Sequence, residues 1–496
     1  MALSVGTDRL GLATLRRLPV ECRPLLRPGT VPAGIVHLGL GAFHRAHQAV
    51  HTEAAIGAAG GDWGIIGVAP RSTDVVDALA AQDALFSVTT LAAEGATTRV
   101  VGALAGVRHA ASDPAAVVGL LADPAIRVVT LTVTEKAYQL DPVTGALNAD
   151  PEVTADLTTD RPPRTVPGLL VRGLLARAAA EAGPIALVSC DNLPANGRRL
   201  RGLVTQSLAL ARVPDAVAGW VHDNVTFPGT MVDRIVPAST AETLDTARRA
   251  LGVTDRAAVA AEPYSQWVIE DEFPAGRPAW ERAGAILTDD AGPWERLKLR
   301  TLNGVHSATA YLGALAGAET VAETLALPQL TTVLRRLVAE DVAPSFTPPP
   351  GVSVPAYGEE VLTRFGNPAI RHRTLQIAMD GSQKLPQRVL HTIADLRAGG
   401  RSARWGALVV AAWLRFLLGY ADDGRPLPLD DPLADRLRGA LAAGRDTPAG
   451  VVDAIFALRE VFPAELAADD EVRADVTGWL TALERHGVRA TLAGAL

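Results

Sequence analysis

Residues 34–41, GIVHLGLG, form an apolar β-type run that closes on two glycines, Gly39 and Gly41. Phe43-His44-Arg45-Ala46-His47 then opens a segment with helical spacing that continues to Ala54. A strand, a Gly-x-Gly turn and a helix in direct succession constrain a chain heavily. They build the first βα unit of a dinucleotide-binding sheet, because glycine lets the backbone approach a pyrophosphate resting on free N–H groups at the helix start. The third glycine of the usual fingerprint is absent, and a bare GxG is common in turns. Context strengthens it: 63–68 (WGIIGV) reads as a second strand, 128–133 (VVTLTV) as a later buried strand and 185–189 (IALVS) as another. Short apolar strands separated by alanine- and leucine-rich helices predict a parallel sheet covered on both faces.

After about residue 285 the strand runs stop. Helical periodicity takes over in 294–318, 320–342, 372–398, 403–420, 431–445, 450–461 and 470–485. The stretch 343–357, APSFTPPPGVSVPAY, is too proline-rich for a helix and reads as a connecting loop. The expected architecture is an α/β, Rossmann-type dinucleotide-binding domain over 1–286, followed by a mainly α-helical substrate and catalytic domain over 287–496.

Composition narrows the function. Of 496 residues, 47 are basic and 54 acidic, for a net charge of −7. That balance argues against nucleic-acid or polybasic membrane binding, which need concentrated positive charge. Two cysteines, Cys22 and Cys190, build neither a disulfide framework nor a cysteine zinc site. The chain reads as cytoplasmic and reduced, with no signal-type N-terminus. The longest apolar stretch, 405–420, is broken by Arg415 and too short to span a bilayer. Only three of the 47 basic residues are lysine: Lys136, Lys298 and Lys384. Arginine is used almost wherever a positive charge is wanted. An ammonium is compact and can lose its proton when buried, whereas a guanidinium cannot, so the three lysines are candidates for chemistry.

Lys298 lies in WERLKLRTLNGVH (294–306). On an α-helix turning about 100° per residue, with Lys298 at zero, Glu295 falls near 60°, His306 near 80° and Asn303 near 140°. One carboxylate, one lysine, one amide and one imidazole share an arc. As a bare pattern this also fits a capped, partly exposed helix start; the chemical reading needs a carbonyl-directed site nearby. SCDNLPANG (189–197), at the end of a strand, and FPGTMVDR (227–234) supply polar groups of that kind, Asn192 and Asp233 among them. Ordinary turn chemistry accounts equally for much of both loops. No Tyr-x-x-x-Lys, HExxH, GxSxG or GxxxxGK[ST] motif competes. His44, His47 and His51 are spaced as on a helix but lack carboxylate or cysteine partners, so they read as packing or cofactor contacts and no metal is expected.

The segments GIVHLGLGAFHRAHQAVHTE (34–53), TLTVTEKAY (130–138), SCDNLPANG (189–197), FPGTMVDRIVP (227–237), EPYSQWVIEDEFPAGRP (262–278), KLRTLNGVHSATAYLG (298–313) and QIAMDGSQKLPQR (376–388) together resemble the mannitol dehydrogenase family, the polyol-specific long-chain dehydrogenases. All three lysines fall inside these segments. The resemblance implies a metal-independent, nicotinamide-dependent oxidoreductase acting on a sugar alcohol or sugar acid. It implies Lys298 as general acid/base, Asn192 and Asn303 as the amides holding the reacting oxygen, and His306 as a positioning group. Glu295, close to Lys298 on the same arc, is placed to relay the proton to water. Gly39, Gly41, Ala42, Phe43, His44, Arg45, Thr134, Glu135 and Asp233 are the expected cofactor-binding positions. A lysine must be brought down from ~10.4 to act as base near neutrality, and burial moves it that way.

Within the family, the run HRTLQIAMDGSQKLPQR (372–388) is most similar to the fructuronate reductase branch, which interconverts D-fructuronate and D-mannonate. Gln376 stands eight residues before Lys384, where the mannitol type resembles an arginine–lysine pair, and Lys136 stands where that type tends to have glycine. A substrate carboxylate calls for fixed cations: Lys384 with Arg371 or Arg373 is one candidate clamp and Lys136 another, while pairing with local acids such as Glu135 and Asp380 is the alternative. NAD is the expected cofactor. NADP stays open, because Arg71 and Ser72 follow the second strand where an acid would grip the ribose. The expected partner is a small sugar acid or polyol, with no nucleic acid and no membrane, and the chain as a monomer or weak oligomer. A mannitol- or arabinitol-type polyol 2-dehydrogenase is the neighbouring reading, and an inactive sugar-acid sensor a more distant one.

Overall fold

The computed structural model describes residues 8–141, 144–444 and 446–496, the Ala443 side chain excepted. The chain divides into two compact units, Met1–Ala291 and Gly292–Leu496.

The first unit is built on six parallel strands: β1 (Ala33–Leu38), β2 (Gly64–Ala69), β5 (Leu104–His109), β6 (Val128–Leu131), β7 (Ile185–Ser189) and β8 (Val225–Thr226). Their order is β5-β2-β1-β6-β7-β8. Register explains why these apolar runs make a two-faced sheet. Ile65, Ile35, Val128 and Ala186 lie side by side across four strands, and all four join one core. The next row, Ile66, Val36, Val129 and Leu187, joins the core on the opposite face. Side chains alternate with period two, so a strand apolar at every position is one buried on both sides.

The helix expected from residue 43 is two helices, α1 (Ala42–Ala46) and α2 (Gln48–Ala59). His47, at φ −128° and ψ −85°, breaks them. Two smaller sheets escaped the sequence reading. β3 (Phe86–Ala92) and β4 (Gly95–Val101) form an antiparallel hairpin joined by β10 (Val259–Ala261). β9 (Thr230–Asp233), β11 (Gln266–Glu270) and β12 (Ile286–Thr288) form the other. Phe86–Ala92 and Gly95–Val101 are threonine-rich and partly exposed, so they lack the continuous apolar signature of the central strands.

The second unit is helical. The segment expected at 294–318 is Gly292–Leu297, a π-helical turn Lys298–Asn303 and the helix Gly304–Leu315. That at 320–342 splits into Val321–Leu325, Leu330–Arg336 and a second π turn, Leu337–Val342, with Pro328 in the gap. That at 372–398 breaks at Met379 and Asp380, Asp380 having φ 55°, and contains a third π turn, Pro386–Leu390. The later segments form Arg404–Leu417, Ala434–Gly444, Pro448–Phe456 and Asp470–Ala495, the last kinked at Gly487, whose φ is 71°. Arg445, the end of the expected 431–445 helix, lies outside the described residues. The loop expected over 343–357 is shorter than that, because the helix Val354–Phe365 starts inside it. Ser353 caps it by accepting from the Ala356 N–H, and Pro355 sits in the first turn, where a missing N–H costs nothing. Among the described residues no helix is long and apolar enough to cross a membrane.

Candidate active site

In the first unit the chain runs from β1 to β2 on one side and later returns to β6 on the other. This reversal is a topological switch point, and ligands of open α/β sheets bind just beyond the carboxyl ends of the strands there. The residues beyond β1 and β6 are the expected cofactor positions. Gly39 has φ 104°, and a Cβ there would lie 2.0 Å from the Thr132 carbonyl oxygen, so the turn between the two strand ends requires glycine. Gly41 is exposed and Ala42 and Phe43 are half-buried, leaving the turn open to a ligand. Thr134 and Glu135 are exposed beside it.

Thr134 is held at φ 72° and ψ 157°, a region that is otherwise almost exclusively glycine's. The clamp is Asp191, just past β7. Its carboxylate accepts from the N–H groups of Val133 (3.1 Å) and Thr134 (3.0 Å) and from the Tyr138 hydroxyl (2.9 Å). Burial pushes the Asp191 pKa up while these donors pull it down. Asn192, the next residue, is exposed at the strand end. Asn196 ties this loop to β9, donating to the Asp191 carbonyl and Thr230 and accepting from the Thr230 N–H (2.9 Å). Asp233 is buried on β9, opposite Gln266 of β11. Lys136 is exposed on the 3-10 turn Glu135–Tyr138.

His44 and Arg45 point inward. The buried His44 ring stacks on His37 with centroids 3.4 Å apart. Arg45 donates to the carbonyls of Gly41 (3.2 Å) and Ala257, and burial lowers its pKa to about 10. At these two positions only the main chain is left for a ligand. His47 donates to the Gln266 carbonyl (3.0 Å), and His51 bonds the Ala283 carbonyl (3.1 Å) and the Ser265 hydroxyl (3.0 Å). Among the described residues no group of three or more His, Cys, Asp or Glu is placed to hold a metal.

In the second unit, Lys298, Asn303 and His306 are buried, at 7%, 7% and 8% exposure, and Glu295 is half-buried. The wheel drawn for a plain α-helix needs correction. The turn Lys298–Asn303 is π-helical, and one extra residue per turn rotates Lys298 relative to Asn303 and His306. Asn303 Oδ1 and His306 Nε2 are buried without a hydrogen-bond partner. The imidazole touches Phe365 and His372, with centroids 4.7 and 4.8 Å away. Burial, then His372, Arg388, Lys384 and Arg364, drive its pKa well below the ordinary value, so it is neutral.

Lys384 is half-buried and donates to the Met379 carbonyl (2.6 Å), with Asp380 3.6 Å away. Burial, then Arg388, lowers its pKa. Arg371, Arg373 and Gln376 are all exposed; Arg371 has φ 46°, and Arg373 forms a backbone bridge to Thr320. The cation nearest Lys384 in effect is Arg388, four residues on, which the sequence reading quoted but did not single out. The i, i+4 spacing of Lys384 and Arg388 was the signal available. Asp191 was passed over too, although an acid just past an apolar strand is a recognisable place for a loop clamp.

Residues 33–282 match the mannitol dehydrogenase Rossmann domain, and residues 290–484 match the mannitol dehydrogenase C-terminal domain. The oxidoreductase YeiQ of Escherichia coli K12, itself uncharacterized, is 43% identical over 437 residues, 87% of this chain and 88% of that one. The D-mannonate oxidoreductase of the same organism is 39% identical over 483 residues, covering 96% and 98%. Among solved structures, Pseudomonas fluorescens mannitol 2-dehydrogenase in complex with NAD and D-mannitol superposes with a TM-score of 0.84 at 35% identity, covering 98% of this chain and 99% of that one.

Proposed function

The chain belongs to the mannitol dehydrogenase family, and from that premise we propose that this oxidoreductase uses NAD to interconvert D-mannonate and D-fructuronate. The observation that carries the reading is the helical segment 292–315. It buries a lysine, an amide and an imidazole together, and leaves Asn303 Oδ1 and His306 Nε2 without partners. Buried polar atoms left unpaired cost about 1–3 kcal/mol each, a cost accepted where a substrate completes the hydrogen bonds.

A nicotinamide dinucleotide held with its pyrophosphate at the Gly39 turn would supply the hydride acceptor. The residues proposed to hold it are Gly39, Gly41, Ala42 and Phe43 at the turn, the main chain of His44 and Arg45, and Thr134, Glu135 and Asp233. The open glycine turn at the switch point fits a dinucleotide. Lys298, in its neutral form, takes the proton from the carbinol hydroxyl, and in the reverse direction returns it to the carbonyl oxygen. The Asn303 amide donates to that oxygen as charge develops on it, a task a metal performs elsewhere. Neutral His306 orients the substrate and Asn303. Glu295, within a turn of Lys298, passes the proton to water. Asn192 is proposed as a further amide donor.

The sugar-acid substrate draws support from the cationic surroundings of His306 and from the D-mannonate oxidoreductase relative. A charge-assisted contact to a carboxylate contributes roughly 1.5–3 kcal/mol, and a tenfold preference needs about 1.4. The test is kcat/KM for D-mannonate, D-mannitol and D-arabinitol with NAD and with NADP, followed by nicotinamide absorbance. D-mannonate with NAD is expected to lead by at least about tenfold. Preference for a neutral polyol replaces this reading with a polyol 2-dehydrogenase.

A further inference from the structure

We propose that Arg388 receives the substrate's carboxylate, with Lys384 as the second cation, an assignment that rests on the sugar-acid reading above. Arg388 lies on the π turn Pro386–Leu390, which packs directly against the helix carrying Lys298, Asn303 and His306. The approach is close: a Cβ on Gly304 would lie 3.0 Å from the Arg388 carbonyl oxygen. From there the guanidinium reaches Ser307, the residue after His306, and donates to its hydroxyl at 3.2 Å.

That is its one hydrogen bond among the described residues, and no carboxylate there lies within ion-pair distance of it. Other sheltered arginines of this chain are satisfied. Arg177 donates to five backbone carbonyls, Arg300 to Asp395 and Ser345, and Arg277 to Asp271 and Glu281. Arg388 has five donors, and one hydroxyl meets them. Burial lowers its pKa to about 10, and its charge in turn depresses that of Lys384. Two acids bear on the pair: Asp380, 3.6 Å from Lys384, supports the charge of both cations, and Asp431 that of Lys384. Two adjacent cations next to the buried His306, of which Arg388 has no carboxylate within ion-pair distance among the described residues, make a site that is short of one anion.

A carboxylate fits what is missing. It is planar, singly charged and able to take two parallel N–H bonds from a guanidinium, while Lys384 acts as a point charge at its edge. A terminal CH₂OH leaves the Arg388 guanidinium without an anion. Arg388 thus selects aldonate and ketoaldonate over alditol and ketose, whereas Lys298, Asn303 and His306 act on the carbinol common to all of them.

The readout is the ratio of kcat/KM for D-mannonate to that for D-mannitol, in wild type, R388M and R388K. R388M is expected to lower the ratio at least about tenfold, mostly through the KM for the acid. R388K, which keeps the charge but not the fork, is expected to fall between. If R388M does not fold, R388K alone must lower the ratio. An unchanged ratio, with both substrates equally affected, overturns the assignment and makes Arg388 a packing residue. If wild type oxidises no aldonate, the sugar-acid reading fails by itself. Inhibition of alditol oxidation by D-gluconate then decides: the assignment survives if R388M raises the Ki at least about tenfold, and falls if the Ki is unchanged.

Discussion

Replacing Asp191 with asparagine tests whether the loop after β6 is a strained element held in place for the cofactor. The two side chains have nearly the same shape, so packing is preserved and only hydrogen bonding changes. Asp191 Oδ1 accepts from the Thr134 N–H, and Oδ2 accepts from the Val133 N–H and the Tyr138 hydroxyl. An amide must put its NH₂ on one side or the other, so in either orientation a backbone N–H faces a donor. Leaving such a group unsatisfied costs about 1–3 kcal/mol. The strain at Thr134, φ 72°, is itself of order 1–3 kcal/mol. Thr134 therefore gains by relaxing once the clamp is weakened, which limits the stability loss but moves the loop away from the Gly39 turn. The expected result is a fall in Tm of roughly 2–4 °C per kcal/mol lost and a rise of at least about tenfold in the Kd for NADH, read by fluorescence titration. T134G is the contrasting variant, because glycine adopts this conformation without strain. It is expected to keep NADH affinity and to blunt the effect of D191N in the double variant. Unchanged Tm and NADH affinity in D191N would refute the clamp.

Three further outcomes are expected. K298A should lower kcat at least about 10²–10⁴-fold while NADH still binds, and near-native kcat would move the acid/base role elsewhere. G39A should abolish NADH binding or soluble expression, because its Cβ would sit 2.0 Å from the Thr132 carbonyl at a φ of 104°; normal NADH affinity would show that the turn is not the cofactor site. Stability of the first unit should decline from pH 6.5 towards 5. Burial depresses His37 to about 3 and His51 to about 4, so the unfolded chain binds more protons across this window. Each histidine adds a slope of up to about 1.4 kcal/mol per pH unit below its unfolded pKa. Urea unfolding at pH 7, 6 and 5 measures this, and constant stability over that range would contradict it.

The central sheet was legible because its strands are buried on both faces. VVTL at 128–131 and IALVS at 185–189 can satisfy water nowhere, so the residues alone mark them as parallel-sheet interior. The Gly39 turn was legible for a similar reason, since a φ of 104° pressed against another backbone admits little but glycine. The hairpin Phe86–Ala92 with Gly95–Val101 was not, because its threonines leave one side partly exposed and its pairing with Val259–Ala261 is set by residues far along the chain. Lys298, Asn303 and His306 could be nominated from their types and spacing. Their relative rotation could not, because a π turn forms when surrounding packing stabilises it, and propensity carries no trace of that. The same holds for the cation beside Lys384. Arg371, Arg373 and Arg388 all stand within a few helical turns of Lys384 in the sequence, and residue type alone does not rank them. Tertiary structure separates them, leaving Arg371 and Arg373 in solvent and pressing the backbone of Arg388 against Gly304, where its charge is desolvated and, among the described residues, its guanidinium hydrogen-bonds one serine hydroxyl.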